Sequence, residues 1–331
     1  MASGFQGKPL FDVASYARRG SGRRDQLTPA EVAQVRRTVG RTPEVVVKVL
    51  ARGATTTAQV KHHAEYIGRD GSLEVETDDG HQLTGDDVGD HLVEDWNLDL
   101  PADGATERIA RGGGRDARLV HKLIFSMPAG TPPDKMLGAV RDFAREEFGL
   151  QHRYAFALHT DEPHPHVHVM VKAVSEQSER LNIRKDTLRE WRAGFAGHLR
   201  ARGMEANATE RAVRGQSRKA LKDPIYRADE RDASTHMRSR MAAANRTIGA
   251  GSRVARDPGG VRLYETNEKI VAGYRVLADL LIDQGERNFG EYVRMFAERI
   301  HYPSTQEQLD RERVRERGNI RSGARFESIT R

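Results

Sequence analysis

Two kinds of hydrophobic pattern divide the chain near residue 215. Before it, short apolar runs suited to strands alternate with longer stretches at helical spacing; beyond it the strand-like runs vanish. Residues 44–50 form a β-branched run fit for a strand. Gly53-Ala54-Thr55-Thr56-Thr57 offers an N-cap, and the spacing predicts a helix carrying His62, His63 and Tyr66 that Gly68 stops. Val120–Met127 reads as a strand closed by Pro128-Ala129-Gly130-Thr131. Over residues 133–148, Met136, Val140, Phe143 and Phe148 stand among charges, an amphipathic helix ending at Gly149. Arg153–His159 and His164–Val174 read as an antiparallel hairpin turning at Thr160–Pro163, and a helix over Lys185–Arg202 follows. From Lys269 to Ile300 residues such as Ile270, Tyr274, Leu277, Leu281, Tyr292 and Phe296 keep helical spacing, broken around Gly285 and Gly290. Near the start, one short helix is expected after Thr28-Pro29, and no internal repeat is found.

Charge sharpens this division. The chain has 331 residues and a formal net charge of +6, but residues 1–42 carry +5, 43–200 carry −6 and 201–331 carry +7. Basic arms flanking an acidic-to-neutral centre are the electrostatic footprint of a polyanion partner, since each Lys or Arg that neutralises a phosphate releases a counterion. Either arm alone would be read as a solvated helix face. Residues 71–100 hold ten more acids than bases, with turn chemistry at close intervals, and read as a loop-rich insertion. Arg111-Gly112-Gly113-Gly114-Arg115 reads as a flexible connection. The organisation expected is a basic mobile arm over 1–42, a mixed domain over 43–215, a helical basic region over 216–310 and an Arg-rich charged tail over 311–331. Cysteine is absent, which excludes disulfides, thiolate metal sites, iron–sulfur clusters and thiol nucleophiles. No apolar run approaches the roughly 18 residues of a membrane span, so a soluble cytoplasmic protein without membrane insertion is expected.

The strongest chemistry lies in the hairpin. His164, His166 and His168 alternate, and a period of two puts them on one strand face. His159 ends the partner strand and Asp161 sits in the turn. Three or four imidazoles converging across a hairpin form a natural divalent-metal site, and a nearby carboxylate can orient a ligand's second ring nitrogen. One His-x-His pair would be read as a solvated edge; four histidines and an aspartate within ten residues favour the metal. With no cysteine and no Gly-x-Ser-x-Gly elbow, Tyr66 is the candidate nucleophile. A phenol of pKa about 10 is only about a thousandth ionised at neutral pH, so its attack on a phosphodiester needs a base or an electrophile. A metal polarising the phosphate supplies the electrophile.

Three separated motifs carry a resemblance. His62-His63-Ala64-Glu65-Tyr66-Ile67-Gly68-Arg69-Asp70-Gly71, Leu123-Ile124-Phe125-Ser126-Met127-Pro128-Ala129-Gly130-Thr131 and His159-Thr160-Asp161-Glu162-Pro163-His164-Pro165-His166-Val167-His168 occur in the order of motifs I, II and III of the plasmid-mobilisation relaxases. The chain resembles their MobP-type branch, which takes in the border endonucleases of the Vir system, within the HUH endonuclease superfamily. The resemblance covers roughly residues 44–215, through Leu181-Asn182 to Glu210–Gly215. It implies an α+β palm-like fold, with a central antiparallel sheet and flanking helices, ahead of the mostly helical basic region. It also implies metal-dependent, strand-specific nicking of single-stranded DNA at an origin of transfer, with a 5′-phosphotyrosyl adduct. By the same resemblance Tyr66 is the nucleophile and His159, His166 and His168 are the metal ligands. Asp161 and His164 assist from behind or handle protons, and Ser126 and Arg69 contact DNA. Lys172-Ala173 stand where relatives often place an asparagine.

Metal identity stays open at this stage. All-imidazole ligation points by softness to zinc, nickel or copper, whereas the resemblance implies magnesium or manganese, which cellular availability favours. The resemblance further implies accessory DNA-binding proteins and a type IV secretion coupling protein as partners, in a bacterial cytoplasm. The tail from Arg311 is reminiscent of C-terminal export signals that carry a relaxase into a recipient cell. Three rival readings share parts of the pattern, one of them a non-catalytic nucleic-acid binder whose histidines hold a structural metal. A replication initiator of the HUH type would use the same chemistry at another origin. A histidine-triad nucleotide hydrolase would match His164–Met170 but has no need of motifs I and II or of basic arms.

Overall fold

The computed structural model describes residues 12–16, 26–50, 53–99, 118–216 and 258–300, with isolated positions from 228 to 246. In chain order the elements are α1 (Val13–Tyr16), α2 (Pro29–Val39), β1 (Val46–Val49), α3 (Thr57–Gly68), β2 (Val75–Thr77), β3 (Gln82–Leu83), α4 (Val88–Asp95), β4 (Val120–Ser126), α5 (Pro133–Phe148), β5 (Tyr154–His159), β6 (His166–Lys172), α6 (Lys185–Ala201), α7 (Pro258–Asp283) and α8 (Arg287–Arg299). They gather into two compact units, one over Gly40–Thr209 and one joining Phe11–Val39 to the chain from Glu210. The Gly-rich connection Arg111–Arg115, most of 217–257 and the tail 311–331 lie outside the described residues.

The first unit is α+β, as expected. Its six-stranded sheet has the order β1-β4-β6-β5-β2-β3, and every neighbouring pair is antiparallel. Because side chains alternate across a strand, each face receives its own set. Leu123 and Phe125 of β4, Phe156 of β5 and Val167, Val169 and Val171 of β6 face α5 and α6 and close over Phe143, Phe148, Trp191 and Phe195. The opposite face presents Val120, Ala155, Ala157 and Met170 to Val60, Ala64 and Ile67 of α3 and to Leu92, Val93 and Trp96. The two alanines of β5 leave room for α3. Gly89 serves α4 in the same way, since a Cβ there would stand 2.7 Å from the Lys61 Cα.

The 71–100 segment corrects the loop-rich expectation. It forms β2, β3 and α4, and Val75, Val88, Leu92, Val93 and Trp96 are buried. Its strands are only three and two residues long, too short for period two to register in the sequence. Several of its acids have partners within the unit. Arg141 donates to both Glu76 oxygens at 2.6 Å, Arg153 reaches Asp78 at 2.7 Å and Asp95 at 2.6 Å, and Lys61 pairs with Asp90. The charge excess therefore partly cross-links β2 and α4 to β5, α5 and α3.

Among the described residues the second unit is helical. Thr28 and Glu31 open α2 with reciprocal bonds, the Thr28 hydroxyl accepting from the Glu31 amide at 3.2 Å and the Glu31 carboxylate accepting from the Thr28 amide at 2.8 Å. Val13 of α1 and Val35 and Val39 of α2 are buried with Tyr274, Leu277 and Leu281 of α7 and Val293 and Phe296 of α8. The predicted break around Gly285 is the turn between α7 and α8, where Gly285 has φ +90°. No helix among the described residues is long and apolar enough to cross a membrane.

Candidate active site

β5 and β6 set the centre. Their register puts His159 directly opposite His166 and His168 opposite Ala157, so three imidazoles share the face that α3 partly covers. The His159–His168, His159–His166 and His166–His168 ring centroids lie 4.6, 5.1 and 5.2 Å apart. One ring nitrogen from each lies within 4.8 Å of the others, the one such convergence of three possible ligands among the described residues. His159 and His168 are buried and His166 is half-buried.

Hydrogen bonds select which nitrogens face inward. The Ile67 carbonyl can only accept, so at 2.7 Å it fixes the proton on His159 Nε2. That leaves His159 Nδ1 with a lone pair, buried and without a partner. The His164 carbonyl, 3.2 Å from His166 Nδ1, does the same for His166 and frees its Nε2. Both nitrogens of His168 are buried and unpartnered. Burial, then the neighbouring His159 and His166, push the His168 pKa down to about 3. Burial also lowers His159, with the Ile67 carbonyl opposing it. Two buried imidazoles with orphaned nitrogens beside a third imidazole suit a cation. The donor set fits a divalent metal ion, and its identity is not decided by these residues.

Tyr66 reaches the centre from α3. The Thr56 hydroxyl caps the helix by accepting from the Gln59 amide. At the other end Arg69, Asp70 and Gly71 all take left-handed conformations, with φ of 51°, 52° and 82°. Two of the three are not glycine, a strained arrangement that the surroundings must hold. It is held by Asp70 and Leu73 amides donating to the Glu65 and Gly68 carbonyls, and by Gly71 packed on Gly85, where a Cβ would come within 2.6 Å. Tyr66, one residue before the carbonyl that binds His159, is 47% exposed, so the residue is open to a large substrate. Its ring lies 5.4 Å from that of His168 and 6.2 Å from that of His159.

Other residues singled out in the sequence fall at different distances from this centre. Arg69 stands 5.3 Å from the Tyr66 ring and pairs with Asp161. Asp161 therefore meets an arginine and not a histidine ring, so the turn carboxylate does not orient a ligand here. Ser126 is cross-strand to His166 on β4, its hydroxyl 3.5 Å from the Met127 carbonyl. His164 lies before β6, exposed, and only its backbone carbonyl touches the cluster. The strand was expected to begin at His164, but Pro165 lacks the N–H that a ladder needs and pairing starts at His166.

Two neighbours carried no functional assignment in the sequence. His63 is buried, stacks on Tyr66 at 5.8 Å with an interplanar angle of 13°, and leaves Nε2 without a partner. Burial and then Lys122 push its pKa down to about 3. Its position three residues before Tyr66 on a helix was the available signal. Lys122 gave none, because its neighbours come from other strands.

Residues 94–203 match the family described as relaxase, MobA/VirD2-like, nuclease domain, a stretch that includes the whole histidine cluster and leaves Tyr66 on its N-terminal side. The chain is 28% identical over 214 residues to the T-DNA border endonuclease VirD2 of Agrobacterium fabrum, covering 59% of this chain and 46% of that one. It is 29% identical over 209 residues to VirD2 of Rhizobium rhizogenes, covering 57% and 46%. Against the 43 kDa relaxation protein of Salmonella typhimurium it is 27% identical over 173 residues, covering 49% and 42%. The matched stretch thus spans less than half the length of these curated relatives.

Proposed function

We propose that the chain, which carries a MobA/VirD2-like relaxase nuclease domain, nicks one DNA strand at an origin of transfer by tyrosine transesterification. The observation that carries this reading is the exposed Tyr66 ring 5.4 Å from His168 of a three-imidazole cluster. The Tyr66 oxygen forms a bond to the scissile phosphorus as the 3′ oxygen leaves. The phenolic proton is released, the 3′ oxygen acquires one, and the DNA 5′ end stays esterified to the protein. This ester keeps the bond energy that hydrolysis would discard, so a 3′ hydroxyl can reverse the step.

His159, His166 and His168 would hold a divalent metal ion, with magnesium or manganese favoured by the kinship and zinc or nickel by ligand softness. When bound, such an ion supplies Lewis-acid polarisation of the phosphate's non-bridging oxygens. The chain's own groups do the rest. Ile67 and His164 carbonyls orient the ligand rings, His63 supports the phenol, and Arg69 and Ser126 line the approach of single-stranded DNA. Asp161 fixes the Arg69 guanidinium. Accessory DNA-binding proteins and a type IV secretion coupling protein are the partners this reading brings with it, and the histidine cluster equally suits a replication initiator of the HUH type.

The test is a covalent adduct. Single-stranded DNA carrying the cognate nick, with Mg²⁺ or Mn²⁺, should yield a slowly migrating protein–oligonucleotide species that mass spectrometry maps to Tyr66. Tyr66→Phe should abolish it, and an adduct persisting in that variant would exclude this tyrosine. His166→Ala with His168→Ala should remove metal binding and nicking together. Adduct formation at a replication origin but not at a transfer origin would favour the initiator.

A further inference from the structure

On β4, Lys122, Ile124 and Ser126 alternate onto the face that holds the histidines. Ser126 is opposite His166, Ile124 opposite His168 and Lys122 opposite Met170, so Lys122 is the diagonal cross-strand neighbour of His168, roughly 7–8 Å away. The lysine is half-buried, and no aspartate or glutamate pairs with it among the described residues. Burial alone lowers its pKa. Its charge is felt by His63, the ring stacked on Tyr66.

Lys122 Nζ keeps contact with solvent, and no acid stands among the neighbours that share its face. Met170, Ile124 and Ala155 are apolar, Lys48 of β1 opposite Ile124 is itself a cation, and His63 and His168 are neutral imidazoles that cannot balance a positive charge. The complement that suits it is an anion arriving from outside, on the side where Tyr66 is exposed. A DNA strand laid across Tyr66 brings several phosphates, only one of which can sit at the histidine cluster.

We propose that Lys122 binds a backbone phosphate of the DNA strand adjacent to the scissile one, on the His63 side of Tyr66. The assignment rests on the nicking reading for the identity of the strand, and not for the presence of an anion site. Lys122 is thereby a substrate-binding residue that sets which phosphate meets the phenol. Lysine's compact charge suits this role at a fixed distance from the sheet.

The experiment measures single-stranded DNA affinity by fluorescence anisotropy across a salt series, using metal-free Tyr66→Phe protein so that no adduct forms. Lys122→Gln in that background should lower the slope of log affinity against log salt by about 0.7, the loss of one phosphate contact on a single strand. Lys122→Arg should restore it, and Lys135→Gln, on α5 across the sheet, should leave it unchanged. The melting temperature of Lys122→Gln should stay within roughly 2 °C of the parent, because a solvent-accessible unpaired charge contributes little to stability. An unchanged slope overturns the proposal, and so does a lowered slope accompanied by a larger fall in melting temperature, which would make the lysine structural. If wild-type protein forms the Tyr66 adduct while the Lys122→Gln slope is unchanged, only the lysine assignment fails. If the slope falls but no adduct forms on Tyr66, Lys122 stays a DNA contact and the nicking reading fails. A parent protein that binds no single-stranded DNA removes both.

Discussion

The two faces of the central sheet are built from the same strands and do opposite work. Toward α5 and α6, β4 and β6 contribute Leu123, Phe125, Val167, Val169 and Val171, and rings interlock there, with Phe143 5.1 Å from Phe125 and 6.4 Å from Trp191. Toward α3 and α4 the intervening residues are Lys122, Ser126, His166 and His168. That face is covered over Val120 and Met170, buries His159 and His168, and opens toward half-buried His166 and exposed Tyr66. One face is closed mainly by apolar contacts, with His121 of β4, buried and with both ring nitrogens unpartnered, as its exception. The other buries His63, His159 and His168 with orphaned nitrogens, a cost that a ligand must offset. Alternation along β4 and β6 lets a rigid hydrophobic layer hold the chemically unsatisfied one in register.

Acid should separate the faces most. On the α3 side His63 and His168 lie near pKa 3, each held down first by burial, whereas an unfolded histidine titrates near 6.5. Below about pH 6.5 the unfolded chain takes up protons that the folded chain refuses. Stability should therefore fall as pH drops from 6.5 toward 4, by up to about 1.4 kcal/mol per pH unit for each imidazole. Chemical denaturation of metal-free protein at stepped pH measures it, and added Mn²⁺ should lessen the fall by holding the cluster neutral. A stability that is flat between pH 6.5 and 4 would mean these rings are not buried neutral.

Next in size is truncation on the apolar face. Phe143→Ala should cost about 3–5 kcal/mol in urea unfolding, since that ring touches Phe125, Phe148 and Trp191. A loss under about 1 kcal/mol would show that the layer is not the rigid support described. The smallest effect is expected where the faces differ most in purpose. His159→Ala in metal-free protein should cost about 1–3 kcal/mol, the price of leaving the Ile67 carbonyl without its donor. The same variant should lose the rise in melting temperature that metal gives the wild type, and retention of that rise would remove His159 from the ligand set.

Much of this could be read along the chain where a signal is local. Helix 133–148 has the boundaries its apolar spacing indicates, the strand ending at His159 stops where the turn residues begin, and Tyr66 lies in the last turn of a helix that ends at Gly68. Histidines two apart on a strand share a face whatever the fold, so His166 and His168 were legible together. Harder to read were contacts between distant segments. The elements within 71–100 are too short to show a period, and their stability comes from Arg141 and Arg153, far along the chain. His164 obeys the same alternation as His166 and His168, yet the pairing ends before it.

The sequence by itself determined the local structure of these elements and the chemical menu, which is imidazoles and a phenol with no thiol, because periodicity, capping and composition act over a few residues. The tertiary structure alone decided that β1 pairs with β4 and β6 lies between β4 and β5, that the Ile67 carbonyl fixes the His159 tautomer, and that Lys122 and His63 share the Tyr66 side of the sheet. These depend on strand order and on burial. Both are set by the free energy of packing the whole unit, and no window of neighbouring residues contains it.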